Sequence, residues 1–229
     1  MKEPEPEQDR TKMMRLVAYE KIKTKILQNK LDLRRRLNEK QFTPELKLSR
    51  TPIREALIML QKENLITRDE EGGFYVRRFS IKDIQDIYDF REMLERASAD
   101  LVVSNVTDEN LLELSKILHE VEATIKDGNP IEGLLKGLEF HIRIIELSKN
   151  SMTIQALKNA YDLLHLVGWS YQKIEMCTES YQEHKRILFA LKNRDVHEFQ
   201  RQISEHISKA KERGFAVVKD DPERVYYSP

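Results

Sequence analysis

Three of the six histidines in this 229-residue chain stand among apolar residues at the spacing of a helix. They are His141, His184 and His206, each in a different predicted helix with leucine, isoleucine or phenylalanine three or four positions away. Neutral imidazole is a common ligand for zinc or nickel, so three such side chains that converge in one bundle predict a divalent metal site. The alternative is that each is a core histidine bonded to a local partner.

Arg91 also lies on an apolar helical stripe, after Ile87 and Tyr88 and before Leu94. A guanidinium that points into a core needs an anionic partner there. Glu95, one helical turn further on, is the simplest candidate within the chain.

A third group of residues has the chemistry of nucleic-acid contact. It begins with Ser49 and continues through Arg50, Thr51, Pro52 and Arg54. Ser49 or Thr51 is predicted to cap a helix, and Pro52 suits its first turn because it has no amide that needs a partner. Arg50, Thr51 and Arg54 are then exposed at the N-terminal end, the end that enters a major groove.

Charge is distributed unevenly along a chain whose formal net charge is zero. Residues 11–80 carry 17 Lys and Arg against 9 Asp and Glu, whereas residues 81–229 carry a net charge of −6. A basic block attracts the phosphate backbone of DNA. The single cysteine, Cys177, and the lack of a long apolar run predict a soluble cytoplasmic protein without a membrane partner.

The elements around the basic motif predict a winged helix-turn-helix domain over residues 11–78. A helix is expected at 15–29, and a second short helix is capped by Asn38. Pro44 either breaks this second helix or delays its start to Thr43. The recognition helix spans about 50–63, and a hairpin follows at 65–68 and 73–77.

Residues 81–214 predict an all-α helical bundle, so the fold class is mainly α with an N-terminal winged helix-turn-helix. Six helices are expected, near residues 81–104, 108–127, 130–148, 152–174, 178–193 and 195–214. The tail from 215 to 229 has no clear period and is expected to be irregular.

Residues 15–78 resemble the DNA-binding domain of the GntR family of bacterial transcription regulators. The resemblance is carried by three stretches in order, namely Leu37–Lys40, Ser49–Leu57 and Glu63–Ile66. It implies that Arg50 and Arg54 contact guanine edges or nearby phosphates, that Thr51 contacts a phosphate, and that Lys40 contacts the backbone. The alternative for the arginines is surface pairing with Glu55 or Glu63.

Two positions depart from the family pattern. Lys47 stands where many relatives have a glycine in the turn, and Glu70–Gly73 replaces a basic wing tip. Acidic side chains repel phosphates, so this wing is not expected to enter the minor groove.

Residues 81–214 resemble the FCD effector domain of the FadR-type branch, in which an aspartate and three histidines hold a divalent metal. The aspartate position, four residues before His141, is Gly137 here. The resemblance implies that Arg91, His141, His184 and His206 bind a small organic acid. Water or the effector carboxylate then completes the metal site, and a metal-free polar pocket is the alternative.

Together these features predict a homodimeric, ligand-responsive regulator that binds a double-stranded DNA operator as a repressor and is released by a small carboxylate, an organic acid or a sugar acid. Two other classes remain open. One is a metal-dependent helical enzyme with an appended basic domain, although no acid–base pair is evident in the sequence. The other is a non-sensing architectural DNA-binding dimer.

Overall fold

The computed structural model of the chain describes residues 7–32, 35–168 and 173–220. They form two compact units, the first ending at Arg78 and the second beginning at Phe79. The first unit holds α1 (Glu7–Leu27), α2 (Glu39–Leu46), α3 (Arg50–Lys62), β1 (Ile66–Arg68) and β2 (Phe74–Val76). The second holds α4 (Ile81–Ala97), α5 (Ala99–Asn105), α6 (Asp108–Lys126), α7 (Pro130–Glu146), α8 (Ser151–Gly168), α9 (Ile174–Lys192) and α10 (Val196–Asp220).

The first unit is built around α3, which packs against α1 and α2. Its apolar stripe of Ile53, Ala56, Leu57 and Leu60 is buried because these positions share one helical face. β1 and β2 pair antiparallel with Ile66 opposite Val76, and Leu37 adds a single bridge to Phe74. The predicted winged helix-turn-helix is confirmed.

α2 is continuous from Glu39 to Leu46, so the predicted break or late start at Thr43 was wrong. The Asn38 side chain caps it by accepting a hydrogen bond from the backbone N–H of Gln41 at 3.1 Å. Pro44 removes one backbone donor, but the helix also buries Phe42 and Leu46. We attribute its continuity to this cap and this packing.

The cap of α3 differs from the prediction. Ser49 occupies the N-cap position in extended conformation, but its side chain makes no capping hydrogen bond, and Thr51 lies inside the helix. An N-cap side chain bonds the amide two or three residues ahead. The third position is Pro52, which has no N–H, so one of the two possible donors is missing.

All the secondary-structure elements in the described part of the second unit are helices, which confirms the predicted bundle. The expected helix over 81–104 is interrupted at Ser98, which separates α4 from α5. α10 runs to Asp220, so an irregular tail was wrong for residues 215–220, and residues 221–229 lie outside the described part. This continuation follows from packing, because Arg213 and Gly214 are buried against groups on α9 and α4. None of the described helices is long and apolar enough to cross a membrane.

Candidate functional site

The residues expected to contact DNA are all exposed in the first unit. Arg50, Thr51 and Arg54 lie in the first two turns of α3, and Lys40 lies on α2. Arg54 Nη1 is 3.5 Å from Glu39 Oε1, a long contact in which the arginine stays 59% exposed. A surface pair of this kind contributes little, so the guanidinium is available to another anion.

The acidic residues suggested as alternative partners are engaged by α1 instead. Glu55 lies 3.7 Å from Arg15, and Glu63 lies 3.1 Å from Lys23 and accepts a hydrogen bond from the hydroxyl of Tyr19 at 2.7 Å. The contacts of Glu63 join the end of the recognition helix to its supporting helix, whereas the longer and partly exposed Arg15–Glu55 pair contributes little. Both carboxylates are therefore occupied on the side of α3 that faces α1.

The wing tip is a tight turn held by Asp69. Its carboxylate accepts a hydrogen bond from the backbone N–H of Gly73 at 2.6 Å, and this bond lowers the pKa of Asp69. Gly72 has φ +82°, a conformation that favours glycine. Glu70 and Glu71 are exposed at the tip, which places two negative charges where a groove-binding wing would need positive ones.

The structure brings the three predicted histidines together in the core of the second unit. His141 comes from α7, His184 from α9 and His206 from α10, and each is at most 3% exposed. His141 Nε2 lies 3.1 Å from His184 Nε2 and 2.9 Å from His206 Nε2. Burial lowers the pKa of all three rings, so they are neutral at pH 7.

This donor set fits a divalent metal ion. Metal–nitrogen bonds of 2.0–2.1 Å at tetrahedral or octahedral angles separate two ligand nitrogens by about 2.9–3.4 Å. His141 Nε2 lies within this range of the Nε2 atoms of both other rings, and one nitrogen from each ring lies within 4.8 Å of the other two. Three facing imidazole nitrogens cannot all be satisfied by hydrogen bonds among themselves, whereas a cation accepts a lone pair from each.

Two buried glutamates lie behind two of these rings, those of His206 and His141. His206 Nδ1 lies 2.8 Å from Glu183 Oε2, and His141 Nδ1 lies 3.4 Å from Glu95 Oε2. A carboxylate beside Nδ1 favours the proton on that nitrogen, which leaves the Nε2 lone pair directed at the cluster. Ligand imidazoles in metal sites commonly have this arrangement.

Each glutamate is also paired with a buried arginine. Arg213 donates to both carboxylate oxygens of Glu183, at 3.0 and 2.7 Å. Arg91 donates through Nε to Glu95 Oε1 at 2.9 Å, and the hydroxyl of Tyr161 donates to the same oxygen at 2.8 Å. Burial opposes the charged form of Glu95, but Arg91 and its hydrogen bonds hold the pKa of that carboxyl below its usual range.

The sequence indicated only part of this arrangement. Glu95 was the candidate partner of Arg91, and that pairing is present. Glu183, Tyr161 and Arg213 were not identified. Arg213 follows His206 by seven residues, two helical turns on the same face, and this spacing was the available signal.

Arg91 also has a guanidinium nitrogen that its hydrogen bond to Glu95 does not use. Its Nη2 is buried and makes no hydrogen bond with any group in the described part of the chain. Arg91 and the three histidines line one cavity, which also receives Arg213. A buried guanidinium nitrogen without a hydrogen bond inside the described part of the chain has an unused capacity to donate to an anion.

Gly137 faces the same cluster. A Cβ at this position would lie 3.1 Å from Cε1 of His184, so any side chain here would be directed at the histidines. An aspartate at position 137 would therefore reach the histidines, and the glycine found here supplies no carboxylate. Gly137 leaves space in the cavity instead.

Comparison with known proteins accounts for both units. Residues 15–76 match the family described as bacterial regulatory proteins, gntR family, and residues 86–209 match the FCD domain. The gluconate operon transcriptional repressor of Bacillus subtilis is 31% identical over 78% of this chain and 75% of its own length. The uncharacterized HTH-type transcriptional regulator YdhC of the same organism is 28% identical over 84% of this chain and 87% of its own.

The fold is also shared with a solved structure. The E. coli protein McbR/YncC superposes with a TM-score of 0.78 at 20% identity, covering 89% of this chain and 97% of that one. A GntR-type DNA-binding unit joined to an FCD effector domain is the composition of a ligand-responsive transcription regulator. The chain belongs to the GntR family of bacterial transcription regulators, in the branch that carries an FCD domain.

Proposed function

We propose that this regulator is a homodimer that represses transcription and leaves its operator when a small carboxylate binds the second unit. In this proposal residues 11–78 bind DNA, and residues 81–214 bind the effector and dimerise. The observation that carries it is the buried cavity where an unpaired arginine nitrogen and three imidazoles converge. The similarity to a protein named a gluconate operon transcriptional repressor supports repression over activation.

At the operator, Arg50 and Arg54 read guanine edges or bind nearby phosphates. Thr51 and Lys40 contact the phosphate backbone and fix the register of α3. The exposure of Arg50, Thr51 and Arg54 at the N-terminal end of the recognition helix supports these roles, and Lys40 is exposed on α2. A two-fold protein places two such helices on a pseudo-palindromic site.

In the effector unit, His141, His184 and His206 hold a divalent metal, zinc or nickel. The ion supplies a positive charge and open coordination positions for an anionic ligand. Arg91 Nη2 binds the carboxylate, while Glu95 and Glu183 keep the Nε2 atoms of His141 and His206 directed at the site. With Gly137 in place of an aspartate, all three protein ligands are neutral, which strengthens the attraction for an anion.

The DNA contacts are tested by Arg54→Ala, with Lys62→Ala at the exposed far end of α3 as the matched control. The probe is a duplex that the wild-type protein selects from a randomised library. Loss of one guanine contact costs about 1–3 kcal/mol, so we expect affinity to fall about 5- to 150-fold for Arg54→Ala. Equal effects of the two substitutions on this duplex would refute the assignment of DNA contact to the N-terminal end of α3.

The effector site is tested by His184→Ala. This variant is expected to keep the affinity for the selected duplex and to lose bound zinc or nickel, measured by elemental analysis after dialysis. Calorimetry with a panel of carboxylates, with and without each metal, then measures ligand binding. A variant that leaves both metal content and ligand binding unchanged places the sensor site elsewhere.

A further inference from the structure

A row of apolar side chains is exposed on the outer face of α4 and the start of α5. Phe90, Met93 and Leu101 are 37%, 63% and 46% exposed, and Ala97 between them is exposed as well. Their spacing of three or four residues places them on one helical face. The chain stays in the right-handed helical region at Ser98, so the row continues from α4 into α5. We call these four residues the α4 stripe.

The α4 stripe differs from the other exposed apolar side chains of the second unit. Leu112, Met152 and Phe189 are also exposed, but each comes from a different helix. Apolar side chains that are exposed singly are ordinary on protein surfaces. Four in a row at helical spacing are typical of a helix that packs against another helix.

Charged residues of both signs border the stripe on the side of α10. Asp89, Glu92 and Arg96 line an open groove there, together with Met93 and Ala97 of the stripe itself. Arg96 Nη1 lies 3.7 Å from Glu92 Oε1, and the arginine side chain remains 54% exposed. An ion pair this long and exposed contributes little, so both charges are available to groups of another molecule.

The exposed charges around the stripe nearly cancel. Four carboxylates and three cations lie on this face or pair with it, namely Asp86, Asp89, Glu92, Asp100, Lys82, Arg96 and Lys211. A surface without an excess of positive charge does not attract the phosphates of DNA or of anionic lipids. Its occupant must offer apolar side chains bordered by charges of both signs, and a second copy of the same stripe offers both.

The stripe is complementary to itself under two-fold symmetry. In two antiparallel helices with the axis beside Met93, Phe90 of each copy faces Ala97 of the other, so a large side chain meets a small one. In such a pair the same side of each stripe meets across the axis. Arg96 of one copy then lies within about one residue rise, roughly 1.5 Å along the helix, of Glu92 of the other.

We infer that the α4 stripe is the dimer interface of this protein, occupied by the α4 stripe of a second copy in antiparallel orientation. This inference rests on the homodimer of the proposed function and adds the surface through which it forms. The interface then shares one helix with the effector site, because Arg91 and Glu95 lie on the buried face of α4.

The first test is Met93→Asp in the full chain, with the dissociation constant of the dimer measured by sedimentation equilibrium. Two carboxylates without partners become buried at the centre of the interface, so we expect dimerisation to weaken on the order of 100-fold or more. Met152→Asp is the matched control, because Met152 is 80% exposed on α8 and lies outside the stripe. Both positions are exposed in the single chain, so both variants should fold, and circular dichroism checks this.

The second test exchanges charges between copies. Arg96→Glu and Glu92→Arg each place like charges across the axis, so each variant alone should dimerise about tenfold more weakly than the wild type. An equal mixture of the two variants should recover dimers that contain one chain of each. The mixture cannot repair a contact within one chain, because each chain keeps its own like-charged pair. Absence of recovery would overturn the antiparallel pairing.

The two proposals fail differently. If the wild-type chain stays monomeric at all concentrations, the homodimer of the proposed function is wrong, and this inference falls with it. If the wild type dimerises and Met93→Asp dimerises equally well, the homodimer stands and the α4 stripe is not its interface.

Discussion

Glu183 connects the parts of the effector site that would otherwise be independent. Its carboxylate bonds His206 Nδ1 and both terminal nitrogens of Arg213, and all three residues are at most 9% exposed. A buried carboxylate with this many donors is held in one position. The orientation of His206 therefore depends on Glu183, and the contribution of α10 to the cluster depends on it as well.

Glu183→Gln is expected to lower the affinity of the cluster for zinc by about 10- to 100-fold, the usual effect of removing a carboxylate behind a ligand histidine. Competition with a chromophoric chelator measures this affinity. Glu179→Gln is the matched control, because Glu179 is one turn earlier on α9, mostly exposed and 3.6 Å from Arg213. Equal zinc affinities for the two variants would count against the orienting role.

The buried ring of His165 should make the stability of the protein depend on pH, independently of the histidine cluster. Burial lowers its pKa from 6.5 to about 4. Between these values the unfolded chain binds a proton that the native ring does not, so stability falls as the pH falls through 6.5 toward 4. At pH 5 the loss is about 2 kcal/mol relative to neutral pH.

His165→Gln removes this proton uptake. We expect the difference in unfolding free energy between pH 7 and pH 5, measured with urea, to be smaller by about 2 kcal/mol in the variant. His197→Gln, at an exposed position of α10, is the control and should keep the wild-type difference. If His165→Gln keeps it too, the ring is protonated in the native protein at pH 5.

The sequence predicted the central histidines but not the groups behind them, for a physical reason. His141, His184 and His206 interrupt apolar stripes, and a polar residue in such a stripe is conspicuous. Glu183 and Arg213 are charged residues on helices rich in charge, where most such side chains face solvent. Their burial depends on the packing of α9 against α10, which one helix considered alone does not reveal.

At the scale of elements, the turn after α2 is strained. Lys47 ends this helix with φ +55° and ψ +37°, the left-handed conformation, and donates its backbone N–H to the carbonyl of Thr43. Side chains other than glycine lose about 1–2 kcal/mol in this conformation. Where many relatives have a glycine, a lysine here adopts the left-handed conformation that favours glycine.

Lys47→Gly is therefore expected to stabilise the protein by about 0.5–1 kcal/mol, the relief of strain less the added freedom of the unfolded glycine. Lys47→Ala removes the same exposed side chain while keeping its Cβ, so it should be nearly neutral. Urea unfolding followed by circular dichroism measures both. A loss of stability in the glycine variant would mean that the lysine side chain contributes more than the turn costs.

Periodicity predicted which segments are helical more accurately than where the helices end. The break at Ser98 carries neither glycine nor proline, so the pattern over 81–104 reads as one helix. The C-terminal end of α10 was underestimated because residues 215–220 have a weak period of their own. Arg213 and Gly214 are buried, and the helix continues beyond them.

The uneven charge of the chain gives its two units different partners. The basic excess lies almost entirely before residue 81, in the same residues that form the winged helix-turn-helix. The acidic second unit has no electrostatic reason to bind DNA. A response to the effector therefore has to pass between two units with different partners, as a coupling free energy.

This coupling predicts a reciprocal measurement. If the carboxylate that binds most tightly in the calorimetry panel lowers the affinity for the selected duplex by some factor, saturating duplex must lower the affinity for that carboxylate by the same factor. For a repressor released by its ligand we expect a factor of about 5–150 in both directions. Fluorescence anisotropy of labelled duplex measures one direction and calorimetry of the carboxylate the other. His184→Ala should retain duplex affinity and lose its dependence on the carboxylate. A carboxylate that binds without changing the duplex affinity would describe a DNA-binding dimer whose pocket does not act as a sensor, and one that raises the duplex affinity would describe an activator.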